Sequence, residues 1–244
     1  MIYTNWDVLQ KISQQGLFQY SINSVLIGTC AFILYANEYG FFTQSESIFD
    51  AKDIDIAQDT LNTGVSKANH KKFFEYFLPE IEFIEIPSLN HKYPSTSFKI
   101  MKQDVKIDFL CPMIGREQDK PVFIENLGIH AHPLRFLDYL IEDAKEIPLK
   151  KGSNVLVRVP TPEKFALHKL IISQRRTKIS NVKPLKDLKQ AEILISTLLP
   201  ENLEIFHSEW QKLVSKGKKW RQLLHAGLQC LPENIQKKFS DEML

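Results

Sequence analysis

An acid inside an apolar, strand-like run is costly unless something pairs with it, and this chain carries three. Asp53-Ile54-Asp55 forms the start of one short run, and Asp108 stands alone within Val105-Lys106-Ile107-Asp108-Phe109-Leu110. Side chains two apart on a strand share a face. Asp53 and Asp55 therefore project together, and Asp108 can meet them from a neighbouring strand. Gathered carboxylates repel one another unless cations sit among them. The natural occupants are one or two hard divalent cations, of which Mg²⁺ fits best.

A glycine turn precedes these acids. Ile22 to Ile27 reads as a buried strand, Gly28 makes the turn, and Thr29 to Tyr39 reads as a helix stopped by Gly40. Asn5 to Gln19 has the spacing of an amphipathic helix, with Trp6, Leu9, Ile12 and Leu17 on one side. Asp53 to Ala57 is a short strand. Asn69 to Leu78 reads as an aromatic helix closed by Pro79, with Phe73, Phe74, Tyr76 and Phe77 as core. Glu82 to Ile86, Thr96 to Met101 and Val105 to Leu110 follow as strands of an antiparallel meander. Leu134 to Ala144 reads as helical and Val155 to Val159 as a strand.

The pattern changes at Thr161-Pro162-Glu163, which combines a capping hydroxyl with proline in the first turn of a helix. From there the periods are helical. Pro184 to Leu199 carries Leu185, Leu188, Ala191, Ile195 and Leu198 at helical spacing, and two further helices break near Gly217 and end at Pro232. The expected architecture is α/β (α+β): residues 1–159 form a mixed-sheet domain and residues 160–244 a helical one, joined near Pro160.

With 244 residues, 43% hydrophobic and 25% charged, the chain has the composition of an ordinary globular protein. A formal net charge of +2 gives no global attraction to nucleic acid. Cys30, Cys111 and Cys230 lie far apart with no zinc-ligand spacing, and read as buried thiols of a cytoplasmic protein. The first residues lack a signal-peptide pattern. The apolar run Val25 to Ala36 is too short to span a bilayer, so no membrane partner is expected.

Ile27-Gly28-Thr29, Asp53-Ile54-Asp55 and Asp108 together resemble the DNA polymerase β-like nucleotidyltransferase superfamily, whose pattern is a glycine turn, an acid pair and a third acid on a later strand. The segment Val157 to Leu170, with Lys169, Arg175, Arg176 and Lys186-Asp187-Leu188 beyond it, is similar to bacterial stand-alone nucleotidyltransferase-fold proteins. Ala131 to Leu140 resembles the same group. The abortive-infection type-E toxins of toxin–antitoxin pairs share a similar lysine-arginine-aspartate arrangement. The likeness covers most of residues 22–199. Thr29 stands where the family usually has Ser or Gly, and Ala51-Lys52 replaces a common Thr or Ser before the acid pair.

The resemblance implies a mixed-sheet nucleotidyltransferase fold and transfer of a nucleoside monophosphate from an NTP, such as ATP, to an acceptor hydroxyl. Asp53, Asp55 and Asp108 would hold two Mg²⁺ ions, with Asp108 also a candidate general base. Gly28 and Thr29 would approach the polyphosphate. Lys169 and Arg176, seven residues apart on one helix face, would neutralise the triphosphate as the two domains close. The acceptor is open between an RNA end, a protein and a small molecule. Under a toxin reading it is tRNA, with an antitoxin as partner. A non-catalytic nucleotide-binding module is the alternative. Its prediction, loss of an acid, is not met.

Other features have plainer readings. His130-Ala131-His132 has no third metal ligand at a suggestive spacing. Lys186-Asp187 reads as a solvated pair on a helix rather than a functional one. Lys212, Lys216, Lys218, Lys219 and Arg221 around Trp220 could meet RNA, but fit a solvated helix face with Trp220 in the core.

Overall fold

The computed structural model describes residues 2–19, 22–41, 49–58, 73–176 and 182–243, the last four by backbone alone. The described chain falls into two compact units, one extending to Pro160 and the other starting at Thr161.

The first unit is built on a mixed sheet. Its strands are β1 (Ser24–Ile27), β2 (Asp53–Gln58), β3 (Phe83–Ile86), β4 (Ser97–Ile100), β5 (Lys106–Pro112), β6 (Val122–Ile124) and β7 (Ile129–Leu134). The order is β1-β2-β5-β4-β3. The expected antiparallel meander holds for β3, β4 and β5, but β5 joins β2 in parallel, Asp55 beside Asp108. β7 runs parallel to the second half of β5 and carries β6 on its far side.

Alternation fixes which way each strand faces. On β2 and β5, Ile54, Ile56, Ile107 and Phe109 are buried at 1% exposure or less, whereas Asp53, Asp55, Lys106 and Asp108 are half-exposed. A one-residue slip would reverse both sets, so the apolar face pins the position of the acids. The core face packs against α1 (Asn5–Gln14), α2 (Gly28–Tyr39) and α3 (Phe73–Phe77). Phe73 lies edge-on to Phe109 at 4.9 Å between ring centroids.

Helix boundaries follow local chemistry. Thr4 and Asp7 form a reciprocal capping box at the start of α1. The helix stops short of the expected Gln19 because Gly16 turns left-handed at φ +82°, and Leu17 and Phe18 reach the core from that turn. Gly40 ends α2 at φ +70°. Of the expected helix at 69–78, residues 69–72 lie outside the described residues, and Tyr76 is exposed rather than core.

The expected helix at 134–144 is corrected. Ile129–Leu134 alternates buried and half-exposed residues and is a strand, while only α4 (Leu137–Ile141) is helical, entered through Phe136 at φ +69°. β8 (Lys145–Pro148) was not expected from the sequence, and pairs with β9 (Leu156–Val159) as an antiparallel hairpin.

The second unit is helical: α5 (Pro162–Arg176), α6 (Val182–Leu198), α7 (Leu203–Ser215), α8 (Lys218–Gln229) and α9 (Glu233–Met243). The fold class is therefore the expected one, a mixed α/β part followed by a helical part. α5 begins where proline fits the first turn, and its residues are buried on nearly every side. It packs on α6, α7 and α8. Gly227 of α8 lies so close to α5 that a Cβ there would overlap the Leu170 carbonyl. α9 extends past Pro232, the expected end. Leu185 is exposed at 66%, not part of the apolar stripe, and Cys230 is exposed rather than buried. Among the described residues no helix is long and apolar enough to cross a membrane.

Candidate functional site

The candidate site of the first unit sits on the polar face of β2 and β5. The parallel register sets Asp53 beside Lys106 and Asp55 beside Asp108, and adjacent strands lie about 4.8 Å apart. β1 adds Ile27 opposite Asp55, so the Gly28 turn arrives next to that carboxylate. Gly28 has φ +70°, a conformation open mainly to glycine. A Cβ on it would overlap Asp55 Oδ2 and stand 3.0 Å from Asp55 Cγ. Glycine is therefore required twice here, by conformation and by the neighbouring acid. Thr29, half-exposed, opens α2 immediately after.

The sequence reading thus places Gly28, Thr29, Asp53, Asp55 and Asp108 in one neighbourhood, and it overlooks two further members. Ser97 on β4 is paired with Asp108, and its hydroxyl donates to Asp108 Oδ1. Lys106 donates to Asp108 Oδ2 at 2.7 Å and stands 3.8 Å from Asp53 Oδ1. Burial works to lower the Lys106 pKa, but the hydrogen bond and charge of Asp108, with the charges of Asp53 and Asp55, hold the ammonium above the usual lysine range. The signal for Lys106 was present in the sequence: it lies two residues before Asp108, hence on the same face.

Among the described residues no three His, Cys, Asp or Glu side chains stand close enough to hold a metal ion as arranged. The donor set nevertheless suits one. It consists of hard carboxylate oxygens, and a positive group, the Lys106 ammonium, already lies against two of the three acids.

A cleft of about 800 Å³ opens beside this centre. Ser97 borders it, so the cleft reaches to within one side chain of Asp108. Tyr93, Asn90, Thr96, Lys120 and His132 line much of the rest. His130, the other histidine of the pair, stacks against Phe123 at 5.0 Å.

The second unit holds a separate charged group. Lys169 and Arg176 do share a face of α5, and both bind Asp187 of α6: Lys169 Nζ to Oδ1 at 2.5 Å and Arg176 Nη1 to Oδ2 at 2.6 Å. Asp187 is 2% exposed, which corrects the reading of Lys186-Asp187 as a solvated pair. Burial works to raise the Asp187 pKa, but the two cations outweigh it and hold the carboxyl below its ordinary range. The Arg176 side chain is 41% exposed and that of Lys169 only 9%. His168, next along α5, is enclosed and neutral: burial, with the charges of Lys169 and Arg176, pushes its pKa down to about 3.

The basic residues of α7 and α8 are solvent-facing as expected, but Trp220 is half-buried, with the Lys216 ammonium 5.3 Å over its ring. Lys212 is paired with Glu209.

A family sequence model described as Nucleotidyltransferase matches residues 4–215 of this chain. No curated protein matches it, and no solved structure does.

Proposed function

The chain belongs to the nucleotidyltransferase family and is a transferase of phosphorus-containing groups, and from that premise we propose that Asp53, Asp55 and Asp108 are its Mg²⁺-dependent catalytic centre. The observation that carries this reading is the register of three strands: Ile27 opposite Asp55, Asp55 beside Asp108, and a glycine turn packed against the Asp55 carboxylate.

The substrate is an NTP. Gly28 leaves room for the polyphosphate, and the Thr29 hydroxyl donates to a phosphate oxygen. Held by Asp53, Asp55 and Asp108, divalent metal would neutralise phosphate charge and lower the pKa of the acceptor hydroxyl. The acceptor oxygen forms a bond to the α-phosphorus, the bond to the pyrophosphate oxygen breaks, and pyrophosphate leaves. Asp108 takes the acceptor proton, its other oxygen held by the Ser97 hydroxyl. The cleft bordered by Ser97 receives the acceptor. In the helical unit, Arg176 uses one nitrogen on Asp187, while the enclosed Lys169 fixes Asp187 in place.

The acceptor hydroxyl is open between an RNA end, a protein and a small molecule, and the toxin reading is the alternative that singles out tRNA. An RNA end, tRNA first, is the acceptor to examine, with an antitoxin protein as partner. The test is incubation with each α-³²P-labelled NTP, Mg²⁺, total tRNA and cell extract, comparing wild type with Asp53→Ala/Asp55→Ala. Label transferred by wild type alone supports the assignment, and the labelled band identifies the acceptor. Equal transfer by the double variant refutes it.

A further inference from the structure

Lys106 has no part in the transfer scheme, yet it stands inside its charged centre. It shares a face of β5 with Asp108 and is registered beside Asp53 on β2. Its ammonium contacts Asp108 Oδ2 at 2.7 Å and lies 3.8 Å from Asp53 Oδ1. The contact is not a loose surface pair. The Asp108 side chain is 16% exposed, that of Lys106 32%, and Ser97 occupies the other Asp108 oxygen. Both Asp108 oxygens are thus engaged by side chains of the sheet itself.

A divalent cation would use the same oxygens. Mg²⁺ binds carboxylate oxygen at about 2.0–2.1 Å, and an ammonium hydrogen-bonded to that oxygen would stand within a few ångströms of the ion. Two positive charges so close repel strongly in a half-buried setting. Resting on the reading of Asp53, Asp55 and Asp108 as metal ligands, we propose that Lys106 is the built-in counter-cation of this centre, a positioning residue that holds Asp53 and Asp108 together without metal and must leave Asp108 for a divalent ion to bind.

Two consequences separate this from a merely structural role. The acids bind metal against an internal competitor, so removing the competitor strengthens binding. Metal entry also frees the lysine amine from its partner. A structural lysine would instead weaken metal binding when lost, because the strands it tethers would loosen.

The test is Mn²⁺ binding to the full chain without nucleotide, read by the electron paramagnetic resonance of the free ion. Lys106→Met and Lys106→Gln are expected to bind Mn²⁺ about tenfold more tightly than wild type. Lys106→Arg should restore wild-type affinity, and adding Asp108→Asn to Lys106→Met should abolish the gain. Binding in wild type that is equal or weaker in both neutral variants overturns the role of Lys106 and leaves the metal centre standing. No Mn²⁺ binding in any variant overturns both. A second measurement needs no variant: acetylation of Lys106 by an N-hydroxysuccinimide ester, quantified by peptide mass spectrometry. Mg²⁺ should raise its rate severalfold, and an unchanged or lower rate refutes the proposal.

Discussion

Acid should destabilise the helical unit through one buried histidine. His168 is 6% exposed, and its pKa of about 3 compares with about 6.5 for an exposed imidazole. The folded pKa is depressed, so the stability held in the neutral ring is complete above about pH 6.5. It drains as pH falls from there towards 3, because the unfolded chain binds the proton first. The linkage relation gives a loss of roughly 1 kcal/mol at pH 5.5 and roughly 3 kcal/mol at pH 4.5, or on the order of 5–10 °C in Tm at the latter. Asp187, whose carboxyl is held below its ordinary range, gives up its contribution only at still lower pH. The assay is urea unfolding from pH 7.5 to 4.5 in a Trp6→Phe background, where Trp210 and Trp220 both report on α7 and α8. His168→Gln should flatten the dependence by the amounts above. Parallel curves for the two proteins would show that His168 does not titrate between the folded and unfolded states, and the reasoning would fail.

Gly28→Ala should lose about 1–2 kcal/mol of stability from its left-handed φ and displace the Asp55 carboxylate, so that labelled transfer falls about a hundredfold or more; urea unfolding and the transfer assay check the two effects. Asp187→Asn leaves Lys169 enclosed without its counter-charge and should cost about 3 kcal/mol, part of which Lys169→Met in the same chain should restore in thermal melts. Gly227→Ala forces α8 from the Leu170 carbonyl and should cost about 1–3 kcal/mol by the same measurement. Tyr93→Ala, in the cleft beside Ser97, should raise KM for the acceptor severalfold while leaving the affinity for NTP unchanged, as read by equilibrium nucleotide binding.

What could be read in advance was whatever short-range pattern encodes. The Gly28 turn, the shared face of Asp53 and Asp55, and the helix start at Thr161-Pro162 each depend on neighbours within a few residues. The parallel pairing of β2 with β5 does not, since it joins Asp55 to Asp108 across a long connection. β7 has no reading in the sequence because the two-residue alternation of Ile129 to Leu134 includes a proline that sheets seldom accept, while Leu137, Leu140 and Ile141 supply a helical period that draws the helix start back to Leu134. Asp187 looked solvated because its partners, Lys169 and Arg176, lie on a different helix. Lys106 was legible by spacing alone, two residues before Asp108 and hence on the same face of β5.

The acidic centre joins parts of the chain that are made far apart in time. Ile27 and Gly28 are synthesised early, Asp55 later, and Asp108 and its lysine later still, yet the register needs all three strands at once. A nascent chain therefore lacks an assembled centre until β5 has emerged from the ribosome and inserted between β2 and β4. A fragment ending before Lys106 would contain the glycine turn and the acid pair but not the centre. Under the proposed function, a truncated chain of that kind would carry the nucleotide turn without transferring label.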